Sequence, residues 1–148
     1  MRSPAGILGH PFHPMLIPFP IGWWVLSLIC DVFMLLNGDV IWGIFALYTM
    51  AGGIIAALIA ALPGFVDLFT MKPSPVKRIG IWHMGINLLV TVLYVVDFLW
   101  RRHGGPAATG PVVLSVIAVL LLVMSGWLGG EMVFVHGVAV DTDGEQKS

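Results

Sequence analysis

Five histidines occupy positions 10, 13, 83, 103 and 136 of a 148-residue chain, and they are the residues best suited to chemistry in it. Neutral imidazole is the commonest side-chain metal ligand and a good axial ligand for haem iron. His10, His13, His83 and His136 are therefore candidate ligands, and Asn87, Glu131 and Asp67 are the polar residues that accompany them. A haem b held without covalent attachment needs two histidines on opposite faces of the macrocycle. Their coordinating nitrogens then lie roughly 4 Å apart, the sum of two bonds of ~2 Å. His13 or His10 opposite His83, or His83 opposite His136, are the expected pairs. The same histidines with Asp67 and Glu131 form the alternative, a non-haem iron or zinc site. No Glu-x-x-His pair of the kind used in helical metal bundles is present. Glu131 and His136 are five apart and point away from one another on a regular helix.

The elements that must position these residues follow from composition. Hydrophobic residues make up 58% of the chain and charged residues 10%, against about a quarter charged in soluble domains. Such a chain cannot cover a water-facing surface, and the bilayer is its solvent. Crossing ~30 Å of hydrocarbon takes about 20 apolar residues, and four runs meet that length, at 15–36, 40–62, 79–100 and 112–135. The expected fold is an all-α integral membrane four-helix bundle in one domain, 1–140, with a polar tail at 141–148. The first run is too long for a cleavable signal and contains Asp31. Lone Cys30 excludes an intramolecular disulfide, a zinc ribbon and a CxxCH haem attachment. A net charge of −1 argues against nucleic-acid binding.

Topology then sorts the polar residues. An even number of spans returns both ends to one side, which gathers His10, His13, His83 and His136 at a single membrane face and leaves His103 in solvent at the other. At ~1.5 Å per residue, His83 sits roughly 6 Å inside its helix. His83, Asn87, Val90, Tyr94 and Asp97 share one face of span three, a stripe that should turn inward because ionisable groups avoid lipid. Asp31 and Asp97 approach the far face, to meet interfacial water or to cap Arg101 and Arg102. Arg2, Lys72, Lys77, Arg78 and Lys147 outnumber Arg101 and Arg102, so both termini are expected in the cytoplasm. Pro18 and Pro20 do not suit a helix interior, and an irregular, His-bearing segment is expected up to Ile21. Gly126 and Gly130 form a GxxxG match on span four, suited to helix contact or to close approach of a flat ligand. Trp23, Trp24, Trp82 and Trp127 suit either a cofactor lining or an interfacial belt.

The segments GHPFHPMLIPFPIGWW, ALPGFVDLF, IGIWHMGIN and SGWLGGEMVFVHGVAV resemble the bacterial predicted membrane proteins of domain-of-unknown-function family 2231, over about Gly9 to Val140. Similar domains occur fused to Rieske iron-sulfur or cytochrome c domains, so the resemblance implies an electron-transfer setting. The expectation is a multi-pass protein of the bacterial inner membrane that carries haem b and passes single electrons. Its expected partners are the lipid bilayer, a quinone, and a redox protein or larger membrane complex. A proton-conducting or purely structural subunit is the remaining alternative.

Overall fold

The computed structural model describes residues 3–105 and 109–140. The expected polar tail at 141–148, like Arg2, lies outside the described residues. A short antiparallel hairpin, β1 (Gly6–Ile7) and β2 (His10–Pro11), leads into α1 (Phe12–Leu16) and α2 (Pro18–Asn37). Its turn carries positive φ at Leu8 (50°) and Gly9 (82°), and Leu8 is 92% exposed. A leucine in that conformation is disfavoured, and its position at the hairpin tip gives the side chain an apolar solvent only if the tip dips into the bilayer.

The proline-rich start of span one is more regular than expected. Ile17 joins α1 to α2 with helical dihedrals and donates its N–H to the His13 carbonyl at 3.1 Å. Pro18 and Pro20 fall in the first turn of α2, where N–H groups have no intrahelical acceptor, so their missing donors cost little. The irregularity is confined to one junction.

Span two is α3 (Val40–Thr70), capped by the Asp39 side chain, which accepts from the Ile41 N–H at 3.0 Å. It does not stop at 62; Pro63 lies inside the helix and two further turns follow. In lipid the alternative to the helical hydrogen bond is no bond at all, so a proline interrupts the ladder without ending it. Span three is α4 (Pro75–Gly104), with Pro75 in its first turn and the Ser74 hydroxyl accepting from the Lys77 N–H. The expected loop at 63–78 thus shrinks to 71–74. Span four is α5 (Thr109–Gly130), continued by a π-turn at Glu131–Val135. All four spans are long and apolar enough to cross a membrane.

α2 packs mainly against α3, and α4 mainly against α5. The core between these two hairpins holds Trp24, Met50, Val90, Tyr94, Ala118 and Leu122, with Trp24 and Tyr94 stacked at 4.4 Å and 8°. Large aliphatic and aromatic side chains cover the outside of every span, the surface a bilayer requires. The stripe on α4 does turn inward, with Val90, Tyr94 and Asp97 buried.

Arg101 is not a loop residue. It is buried one turn beyond Asp97 and is clamped by two carboxylates. Nη1 and Nη2 donate to Asp31 Oδ1 and Oδ2 at 2.5 and 2.8 Å, and Nε donates to Asp97 Oδ1 at 2.8 Å. Ser115 of α5 donates to Asp97 Oδ2 at 2.7 Å. A guanidinium needs such a planar acceptor set to leave water, and the cluster ties α2, α4 and α5 together at the far face. His103 is exposed nearby, as expected.

Candidate functional site

Two of the candidate histidines face each other at the terminal end of the bundle. His13 comes from α1 and His83 from the third turn of α4, and their ring centroids are 6.3 Å apart with planes at 88°. Each ring is anchored through the same nitrogen. His13 Nδ1 lies 2.8 Å from the Ala60 carbonyl oxygen, and His83 Nδ1 lies 2.9 Å from that of Ser125. A carbonyl only accepts, so Nδ1 carries the proton on both rings and Nε2 carries the lone pair. Holding one imidazole nitrogen on a backbone acceptor is how proteins orient metal-binding histidines; on His83 the other nitrogen is faced by an amide.

Asn87, one turn deeper on α4, completes the His83 environment. Its Nδ2 lies 3.1 Å from His83 Nε2, 2.8 Å from the His83 carbonyl oxygen and 2.6 Å from Ser125 Oγ. An amide nitrogen has two protons, and the two oxygens are its nearer acceptors. Both rings also lie against bare backbone. A Cβ added to Gly64 would stand 2.8 Å from His13 Nδ1, and one added to Gly129 would stand 3.2 Å from His83 Cε1. Any larger residue at Gly64 would push the ring off its carbonyl.

The centroid spacing matches a metal-bridged pair in length. Two metal–nitrogen bonds of ~2 Å and two imidazole ring radii of ~1.2 Å place coaxial ring centroids ~6.4 Å apart, against the 6.3 Å found.

The remaining candidates lie elsewhere. His10 sits on β2, exposed, with Nδ1 3.1 Å from the Leu8 carbonyl oxygen. Asp67 lies on α3, where its Oδ1 accepts from the Ser3 hydroxyl at 2.6 Å and from the Ala5 N–H at 3.3 Å, pinning the N-terminal strap to the bundle. Glu131 and His136 do not point apart. The π-turn underwinds the chain end, the His136 N–H reaches the Glu131 carbonyl at 3.2 Å, and the side chains approach to 3.9 Å between Nε2 and Oε1. A register of five residues aligns on a π-turn as four does on an α-helix. Among the described residues, no three His, Cys, Asp or Glu side chains converge as a metal site. The mixed His and carboxylate centre drawn from His10, His13, His83, His136, Asp67 and Glu131 is therefore not assembled.

Sequence reasoning missed Ser125 and Ala60, because their contribution is a main-chain carbonyl that no side-chain pattern reveals. Gly64 and Gly129 carried a faint signal, as glycines within the same short motifs as the candidate residues.

No curated protein and no solved structure matches the chain. A family model does match, over residues 9–142, a range that includes both histidines, Asn87 and the Glu131–His136 pair. With four membrane-spanning helices behind that match, the chain belongs to the DUF2231 family of predicted membrane proteins.

Proposed function

We propose that the protein is a b-type cytochrome of the bacterial inner membrane, with His13 and His83 as the axial ligand pair for one haem. The observation that carries this reading is the pair of opposed imidazoles, each with its Nδ1 proton committed to a carbonyl and its centroid 6.3 Å from the other. A second consideration supports a macrocycle over a bare ion. Zinc or non-haem iron draws three or four ligands from the protein, whereas haem supplies four equatorial nitrogens itself and asks for two. Two is what the described residues bring together.

When bound, the haem supplies a one-electron couple. The chain's own residues do the rest. Ala60 and Ser125 carbonyls fix the tautomer and orientation of the two rings, Asn87 stands over His83 Nε2 and would have to turn aside for that nitrogen to hold iron, and Gly64 and Gly129 let both rings lie flush on the helices. Electrons pass between quinol in the bilayer and a redox protein or larger membrane complex at the surface. Both termini lie in the cytoplasm in this reading. Burial of Arg101 between two carboxylates leaves Arg102 against Lys72, Lys77 and Arg78, which sharpens the positive-inside bias.

The test is a reduced-minus-oxidised visible spectrum of purified protein expressed with ample haem supply, with acid extraction of the pigment. A haem b band is expected, lost in both His13→Ala and His83→Ala and kept in His10→Ala and His103→Ala. Absence of the band from the unaltered protein overturns the reading.

A further inference from the structure

Asp31, Asp97 and Arg101 are 0%, 0% and 1% exposed. Two carboxylates therefore share one guanidinium in a site sealed from water, and with both acids ionised the cluster carries a net charge of −1. A charge without a partner is the most expensive group to bury. No neighbouring group among the described residues supplies the missing positive charge. Cys30 stands beside Asp31 on α2, Asp39 is exposed at the start of α3, Arg102 and His103 are exposed at the end of α4, and α5 adds only Ser115. A second feature points into the same place. The Tyr94 hydroxyl, three residues before Asp97 on α4, is on a side chain 0% exposed and has no hydrogen-bond partner among the described residues. It lies within electrostatic reach of all three charges.

We propose that the cluster is a reversible proton-binding site, filled from the aqueous phase at the far face, with the proton carried on Asp97 Oδ2. Arg101 lies one turn before the end of α4 at Gly104, which sets the cluster next to that phase. Hydrogen bonding selects the atom. Both Asp31 oxygens are held by the guanidinium, at 2.5 and 2.8 Å, and Asp97 Oδ1 is held by Nε at 2.8 Å. Asp97 Oδ2 is the oxygen that the guanidinium holds least, 3.5 Å from Nη2, and it lies 2.7 Å from Ser115 Oγ. A hydroxyl both donates and accepts, so the serine suits both states. It donates to the empty carboxylate. Once Oδ2 is protonated, the acid donates to Oγ and the serine proton turns to the main-chain carbonyl one turn back, the usual acceptor for a helical serine. Tyr94 offers a further O–H dipole to the empty, charged state. The step forms one O–H bond and neutralises one carboxylate. A metal ion is a poorer counter-charge, because hard cations take about six oxygens and the cluster offers two carboxylates and a hydroxyl, each already engaged. The site stands apart from the electron-transfer reading and needs no haem.

The experiment is infrared difference spectroscopy of the full-length protein in dodecyl maltoside micelles, acidic minus alkaline buffer, in light and in heavy water. A carboxylic acid C=O band is expected on acidification, shifted to lower frequency in heavy water and lost in Asp97→Asn. That variant keeps the cluster neutral, so its tryptophan fluorescence should match that of the unaltered protein. Asp39→Asn, at the exposed cap, should leave the band in place. Ser115→Ala should keep the band and move it to higher frequency, because the acid loses its acceptor. Tyr94→Phe should let it persist into more alkaline buffer, because the charged state loses a dipole. Absence of the band, a band that pH does not alter, one that survives in Asp97→Asn, or one that stays unmoved in Ser115→Ala overturns the proposal. A change in the carboxylate bands driven by sodium or potassium at constant pH also overturns it, since a metal ion would then be the counter-charge.

Discussion

Replacing Arg101 by methionine tests the buried cluster at the far face most directly. The guanidinium donates to both oxygens of Asp31 and to Asp97, and all three side chains are at most 1% exposed. Methionine keeps the length and removes every donor. Asp97 then retains only the Ser115 hydroxyl, and among the described residues Asp31 retains no side-chain partner. Breaking a buried ion pair by deleting one partner costs about 3–5 kcal/mol, because a buried charge is left uncompensated. That corresponds to roughly two to three and a half powers of ten in the folding equilibrium. Asp97→Asn is the informative contrast. Removing one negative charge leaves Arg101 paired with Asp31 and the cluster neutral, so the expected cost is that of a weakened hydrogen bond, about 1–2 kcal/mol. Replacing all three, with Asp31→Leu, Asp97→Leu and Arg101→Met together, should recover to within about 1 kcal/mol of the unaltered protein, as apolar substitutes for buried ion pairs often do. Reversible unfolding in mixed micelles, followed by tryptophan fluorescence, ranks the three. If Arg101→Met proves no more harmful than Asp97→Asn, the cluster is hydrated and the argument from uncompensated charge fails.

Two further outcomes are expected at the other end of the bundle. Gly64→Ala drives a Cβ into His13 at 2.8 Å, and overpacking of this kind costs about 1–3 kcal/mol; haem titration should show weaker binding, with Gly129→Ala, at 3.2 Å, the milder of the two. Asp67→Ala frees Ser3 and Ala5, lowering the local opening free energy of the strap by about 1–2 kcal/mol. Hydrogen exchange at the Ala5 and Phe12 amides should then quicken about tenfold, with the helical core unchanged.

The four spans were legible because lipid imposes a length and a composition, and no tertiary contact is needed to read either. Helix ends were less so. Pro63 reads as a stop under rules learned in water, where solvent takes over the freed carbonyls, and those rules lose force in a bilayer. Arg101 falls one residue past the expected end of span three, and its pairing with Asp31 and Asp97 was one of two expectations for those carboxylates, whereas its burial was not read. Its four-residue spacing from Asp97 was the available sign that it belonged to the helix. The Glu131–His136 contact was hidden by the assumption of regular α-helical periodicity, which a single π-turn is enough to defeat. At the candidate site, position along the spans was sufficient to bring His13 and His83 to one face. Selecting them over His10 and His136 required main-chain carbonyls that only the folded backbone supplies.

The Asp31–Arg101 pairing also bears on how the protein is made. Asp31 enters the bilayer in the first span, and its cationic partner lies 70 residues downstream. At synthesis rates of 5–20 residues per second, that residue follows ~4–14 s later. During that interval α2 and α3, the most extensively packed pair, can associate as a hairpin while Asp31 remains unneutralised. The charge is settled only when α4 arrives. A chain that ends before Arg101 holds Asp31 in the membrane without its cationic partner. A bundle in which the third span has not docked therefore still carries an unpaired carboxylate on α2.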